Sequence, residues 1–237
     1  MIDKKSNKNK SEQDPVFYID SWSALSDFAK SSPKSILEIS APRKDENRLH
    51  KLLTDRNISV PLSVSAKGLS AKVRIATMDE VALTKRLSQD LPPVILVIDH
   101  ITDPRNFGAI IRSAAFFGVS DVVVAKDRQA PVTQGTIDTC QGAIAFTSIY
   151  RVTNISRAVK EIKDQGFWVV GAILGGEKNA KAVKFDHTCL VVGSEDKGIS
   201  QSMKKNVDVA FEIAGANVVD SLNVSVATGI MLSQLCK

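Results

Sequence analysis

The stretch Val94–Gly118, VILVIDHITDPRNFGAIIRSAAFFG, decides how the chain folds. It opens with the apolar run Val94–Ile98 and stops at Asp99, the pattern of a strand covered on both faces. A polar turn containing Pro104 follows. A helix is predicted over Asn106–Phe117, with Phe107, Ile110, Ile111, Ala114 and then Gly118 along one face. A buried strand passing through a short turn into an amphipathic helix is the building unit of an α/β domain with a parallel sheet. Such sheets collect ligands at the C-terminal edge of their strands, which makes the turn from Asp99 to Asn106 a candidate site. Arg112 falls off the packed face. Helical side chains lean towards the N-terminus, so Arg112 should extend over the small Gly108 and Ala109 towards that edge. The plainer reading makes Asn106 a helix N-cap and Arg112 a solvated charge.

Downstream the alternation continues. Strands are predicted at 121–125, 148–152, 167–172, 189–193 and 207–213, and helices at 133–144, 155–165, 199–204 and 221–236. Upstream, a helix over 21–30, a strand over 35–39, a helix within 45–56 and a short strand over 58–60 form a second, smaller α/β unit. The polar run KRLSQDLPP (85–93) is taken as the linker between units at 15–84 and 94–237. Residues 1–14 carry Lys4, Lys5, Lys8 and Lys10 and almost nothing apolar, which reads as a disordered basic tail.

Composition narrows the function classes. The net charge is +5, which permits a polyanionic partner. No G-x-G-x-x-G follows a strand and no P-loop is present, against a dinucleotide enzyme and against the common Rossmann-like methyltransferases. Cys140, Cys189 and Cys236 form no C-x-x-C pair, and His50, His100 and His187 are scattered. Neither a metal site nor a disulfide framework is expected, and a reducing cytoplasm fits. No apolar run is long enough to span a bilayer, and the N-terminal residues lack a signal-like apolar core.

Two further glycine-bearing turns stand out. In VVGSEDKGIS (191–200) a hydrophobic strand runs into Gly193, Glu195 and Gly198, where glycine lets backbone approach a ligand closely. An ordinary strand-to-helix turn is the alternative. In IAGANVVDSLNVSVA (213–227) a strand ends at Ile213, and a helix begins near Ser221, a candidate N-cap. That helix is apolar on most faces, so deep burial is expected, and Asn223 in its first turn would need hydrogen-bond partners.

Taken in order, NFGAIIR (106–112), GSEDKG (193–198) and SLNVSVA (221–227) resemble the three motifs of SpoU (TrmH-like) RNA ribose 2′-O-methyltransferases. The resemblance runs from about Pro93 to the C-terminus. It implies a SPOUT-type α/β parallel sheet with a C-terminal trefoil knot, and a homodimer with active sites near the subunit interface. It implies S-adenosyl-L-methionine as cofactor, held largely by backbone at Gly193, Ile213 and Leu222, with Glu195 and Gly198 shaping the loop. The catalytic set carried over is Asn106, Arg112, Glu195, Ser221 and Asn223. An arginine that stays charged cannot accept a proton, so Arg112 is expected to stabilise the developing alkoxide. Residues 15–84 resemble, more faintly, an RNA-binding domain of the L30e type. The resemblance implies RNA as substrate, and the two-unit layout resembles ribosomal-RNA enzymes more than the transfer-RNA type, so a guanosine of 23S rRNA is expected ahead of tRNA. The chain has Ala214 where the family usually has proline, and Asn217 where it usually has glycine. A catalytically lapsed RNA-binding homologue is therefore the competing reading.

Overall fold

The structure, a computed structural model, describes residues 14–177, 185–194, 196–216, 218 and 221–236. Most of the predicted basic tail, residues 1–13, lies outside the described residues. A small unit comes first: β1 (Val16–Ile19), α1 (Trp22–Ser31), β2 (Ile36–Ala41), α2 (Glu46–Asp55), β3 (Leu62–Val64) and β4 (Ser70–Arg74). Alternation sets the sidedness of its sheet, ordered β1-β4-β2-β3. Phe17, Ile19, Ile39, Ala71 and Val73 are buried, while Tyr18, Glu38 and Arg74 between them are exposed. Leu25 and Phe28 of α1 and Leu49 and Leu53 of α2 complete that buried cluster.

The helix α3 (Glu80–Leu87) overlaps the run read from sequence as a polar linker. Asp79 caps it by accepting from the Ala82 amide at 2.9 Å, and Leu83 and Leu87 sink into the core beneath. Two buried leucines suffice to hold a short helix whose other residues are mostly polar.

The larger unit follows as β5 (Val94–Asp99), α4 (Pro104–Phe116), β6 (Asp121–Ala125), α5 (Gln134–Cys140), β7 (Ser148–Val152), α6 (Ile155–Asp164), β8 (Trp168–Glu177), β9 (Thr188–Gly193), α7 (Gln201–Lys204), β10 (Val209–Phe211) and α8 (Val224–Leu235). The predicted helix over 133–144 is α5 continued by a 3-10 segment, Gln141–Phe146. Its strands pair in parallel in the order β10-β8-β9-β5-β6-β7. Every residue of β5, β6 and β9 is buried, as expected for central strands covered on both sides. Leu96 and Ile98 join the cluster of α4, α5 and α8, whereas Ile95 and Val97 join that of α3, α6 and α7.

The two units share one apolar cluster, in which Leu25 and Phe28 belong with Ile137 and Ile144. Polar contacts seal the join. The Gln134 side chain accepts from the Tyr18 amide at 3.1 Å and donates to the Tyr18 carbonyl at 2.7 Å, satisfying the open edge of β1. The Ser31 and Ser32 hydroxyls both donate to the Ala145 carbonyl, at 2.7 and 2.9 Å. A Cβ on Gly142 would fall 2.4 Å from the Asp27 carboxylate, so only glycine lets the 3-10 segment abut α1.

Candidate active site

Asp99 and Gly193 are cross-strand neighbours at the C-terminal ends of β5 and β9. From there β5 connects towards β6 and β9 towards β10, in opposite directions, so the crevice between them is the sheet's topological switch point. Asp99 is fully buried, and a buried carboxylate requires partners. Its Oδ2 accepts from the Ser200 amide at 2.7 Å, and its Oδ1 lies 2.5 Å from His100 Nδ1. One carboxylate thus ties the turn before α4 to the loop that follows Gly198. The turn leaves the strand through His100 at φ 65°, a left-handed conformation that histidine tolerates better than most residues.

Gly193 is required by space. A Cβ there would lie 2.1 Å from the Gly198 carbonyl carbon and 2.3 Å from the Ile199 nitrogen. The close approach is held by reciprocal backbone hydrogen bonds between Ser194 and Gly198, at 3.2 and 2.8 Å, with Gly198 at φ +61°.

The helix α4 begins earlier than predicted. Asp103 is its N-cap, accepting from the Arg105 amide at 2.8 Å, and Pro104 occupies the first turn. Asn106 is therefore not a cap, and the plain reading of that residue fails. Asn223 Nδ2 instead donates to Asn106 Oδ1 at 3.0 Å, joining the first and third motifs directly. Asn223, and not Ser221, is the N-cap of α8, its Oδ1 accepting from the Ser225 amide at 2.9 Å and the Ser225 hydroxyl at 2.5 Å. The expected burial of α8 on most faces is also corrected. Val224, Thr228, Met231 and Leu232 form one buried face, while Val226 is half exposed.

Gly108 has a different role from the one expected. A Cβ there would come 2.6 Å from the Thr136 carbonyl oxygen, so its smallness lets α4 pack against α5. Arg112 is exposed and, among the described residues, makes no hydrogen bond or ion pair. Burial pushes the Cys140 thiol up to about 12, and the nearby Arg112 charge is among the influences that partly oppose this. Such a thiol is no nucleophile at neutral pH.

Between the loops opens a cleft of about 720 Å³, a size typical of small-molecule sites. Gly193, Gly198, Ile213, Ser221 and Leu222 all line it. So do Ile199, Phe211 and Met231, which sequence reasoning did not single out. Asn106 and Asn223 meet beside the cleft rather than in its lining. Glu195 and Asn217 lie outside the described residues. Asp99 was the missed residue with a visible signal, a lone carboxylate ending a wholly apolar strand. No helix among the described residues is long and apolar enough to cross a membrane.

Comparison with known proteins fits this geometry. The family model of the SpoU rRNA Methylase family matches residues 93–233. An uncharacterized tRNA/rRNA methyltransferase of Mycolicibacterium gilvum is 40% identical over 157 residues, which are 65% of this chain and 50% of that protein. The chain thus spans about half the length of that relative. The crystal structure of an AdoMet-bound rRNA methyltransferase from Sinorhizobium meliloti superposes with a TM-score of 0.75 at 20% identity, covering 93% of this chain and 86% of that one. That likeness establishes a shared fold across both units. The A. aeolicus TrmH/SpoU tRNA modifying enzyme matches with a TM-score of 0.55 at 29% identity, over 65% of this chain and 79% of that one.

Proposed function

The chain belongs to the SpoU rRNA methylase family, and from that premise we propose that it transfers a methyl group from S-adenosylmethionine to a ribose 2′-hydroxyl of RNA. The observation that carries the reading is the convergence of three separate loops at one edge of the sheet, two lining a single cleft and the third joined to them through Asn106 and Asn223.

The residues present fit the cofactor. The floor of the cleft is apolar at Ile199, Phe211 and Met231 and suits a flat adenine ring. Gly193, Ser194, Gly198 and Ile213–Ala216 also line it, mostly small residues whose backbone groups can meet polar edges without a specialised side chain. The close approach of Gly193 to the Gly198 backbone, which a Cβ would prevent, fixes the loop that lines this side of the cleft. When bound, S-adenosylmethionine supplies an already activated methyl group, so alignment carries much of the rate.

The protein's own groups then act on the ribose. Asn223 is fixed at both ends of its amide and so holds Asn106 in one orientation. Arg112 presents its guanidinium to the alkoxide that develops as the 2′-oxygen attacks and to the adjacent phosphate. The proton leaves to phosphate or water, because a guanidinium has no site to accept it. Glu195 and Ser221 complete the proposed set.

The active unit in this reading is a homodimer, with the knotted C-terminal threading that the resemblance implies. Arg112 stands one helical turn from Phe116, which is 82% exposed, and Val226 on the neighbouring α8 is 50% exposed. An apolar surface of this kind beside an unpaired arginine suits burial by a second copy near the site. The substrate proposed is a guanosine of 23S rRNA, supported by the two-unit fold shared with the Sinorhizobium meliloti rRNA enzyme. A tRNA substrate is the second reading, favoured by the higher identity to the A. aeolicus tRNA modifying enzyme. Mapping of alkali-resistant linkages in RNA from cells with and without the chain tests both. A ribosomal site lost on deletion supports the first reading, and a tRNA site the second. An unchanged map contradicts the proposal.

A further inference from the structure

On the face of the small sheet opposite its buried side, Tyr18, Glu38 and Arg74 are exposed and Lys72, Ser40 and Ser70 are half-buried. The register places Tyr18 beside Lys72 and Val16 beside Arg74, with Glu38 on the far side of Lys72 and Ser40 beside Ser70. Tyr18 is 55% exposed, so part of its ring is open to a ligand. Two cations against one carboxylate, around one open ring, is a composition suited to unpaired nucleic acid. Bases stack on the ring, and phosphates follow the cations.

The position of this face strengthens the case. The helix α5 follows β6 and so runs away from the C-terminal edge of the large sheet. Its first residue, Gln134, grips β1 through the Tyr18 backbone, while the 3-10 segment beyond its far end abuts α1. The helical layer of the small unit therefore lies towards the N-terminal edge. The opposite face is turned towards the C-terminal edge, where Asn106 and Asn223 meet. The intervening ground is the loop 126–133, with Lys126, Asp127 and Arg128 exposed. That loop is fastened to the turn before α4, since the Ile101 amide donates to Gln129 Oε1 at 3.1 Å and the Ala130 amide to the Ile101 carbonyl at 2.6 Å.

We infer that Tyr18, Lys72 and Arg74 form a platform for a single-stranded segment of the RNA substrate, continuous with the catalytic edge. The inference rests on the RNA methyltransferase reading and adds to it the face, the strandedness and the residues. A duplex keeps its bases paired and could offer Tyr18 only a backbone. Another basic surface, formed by Arg48 and Lys51 on α2 and Lys44 just before it, lies on the helical side, and the Arg48 guanidinium is stacked 4.2 Å over the Trp22 ring.

The test uses the full chain, fluorescence anisotropy, a labelled single-stranded oligoadenylate and a labelled RNA duplex of equal length. Tyr18→Ala should weaken single-strand binding by about tenfold, the scale of one lost base stack, and Tyr18→Phe should bind like wild type. Lys72→Gln with Arg74→Gln should reduce the slope of log affinity against log salt by about 1.4 for two lost single-strand phosphate contacts. Arg48→Gln with Lys51→Gln should change neither quantity. Calorimetric S-adenosylmethionine affinity and melting temperature should be unchanged throughout, which separates loss of the platform from loss of fold. Single-strand affinity and salt slope equal to wild type in the Tyr18 and Lys72/Arg74 variants would overturn the platform alone. So would losses confined to the α2 variant or to the duplex. A wild-type protein that binds cofactor but neither RNA would overturn the platform together with the reading beneath it.

Discussion

Replacing Gly193 by alanine places one methyl group where the backbone of Gly198 already is. The new carbon would start 2.1 Å from the Gly198 carbonyl carbon. Moving it out to ordinary contact pushes the loop back by about 1.3 Å, and the obstruction is backbone, not a flexible side-chain tip. A shift of that size breaks the paired Ser194–Gly198 hydrogen bonds and draws the Ser200 amide away from the buried Asp99 carboxylate. Overpacking of a tight site costs about 1–3 kcal/mol, and a buried acceptor left short of a partner costs a comparable amount. Partial relaxation keeps the total near ~3 kcal/mol, which for a chain of this size lowers the melting temperature by about 6–12 °C. Because the displaced loop is also a wall of the cleft, S-adenosylmethionine affinity should fall by at least about tenfold. The control is Gly135→Ala in α5, where a Cβ meets nothing closer than the Thr133 hydroxyl at 3.6 Å. That variant should be neutral or slightly more stable, since alanine is the better helix former. Differential scanning fluorimetry and isothermal titration calorimetry read both quantities. A Gly193→Ala protein that melts and binds cofactor like wild type would refute both the required close approach and the placement of the cofactor against this loop.

Arg112→Ala should slow single-turnover methyl transfer by on the order of 100-fold, and Arg112→Lys should recover little, because one ammonium does not reproduce the planar fork. Melting temperature and cofactor affinity should hold in both, as Arg112 is exposed and outside the cleft lining. Asn223→Asp should keep the α8 cap yet lose the bond to Asn106, so activity should fall with little loss of stability. Asn223→Ala should lose both, at about 1 kcal/mol for the cap, measured by urea unfolding beside the transfer assay. Burial pushes the Cys140 thiol and the Tyr150 hydroxyl up to about 12, the latter also through Asp121. Both groups are held neutral by the fold, so their contribution to stability is complete below their ordinary pKa and is lost as pH rises from about 9 towards 12. Urea midpoints should fall across that window, and thiol labelling at pH 8 should reach Cys236 well before the buried Cys140 and Cys189.

The large unit was legible because its strands are buried on both faces, and Val94–Ile98 can be read as little else. Boundaries were harder where a cap competes with a neighbouring candidate. Asp103 and Asn106 both suit a helix start, as do Ser221 and Asn223, and tertiary partners decide between them. The helix α3 escaped notice because only Leu83 and Leu87 of its eight residues are buried, too few to print a clear period. The composition of α8 suggested burial on most faces, but packing against α4 covers only the Val224–Thr228–Met231 side. Gly108 shows the limit of local reasoning most clearly. Its small size was visible, but the Thr136 carbonyl that demands it is distant in sequence and reaches it only through folding. Of the candidate site, the order and spacing of the motifs were readable in one dimension. The Asn106–Asn223 hydrogen bond and the Asp99 tie between two loops required three.

The central claim is methyl transfer to a ribose oxygen, and mass spectrometry tests it directly. The protein is incubated with S-adenosylmethionine carrying a deuterated methyl group and with unmodified 23S rRNA, and the RNA is hydrolysed with alkali and the resistant fragments are sequenced by mass. The account predicts the label on ribose, in an alkali-stable linkage at a defined guanosine, and strongly reduced with Arg112→Ala. Label on a base, or none from a protein that binds both cofactor and RNA, would contradict it.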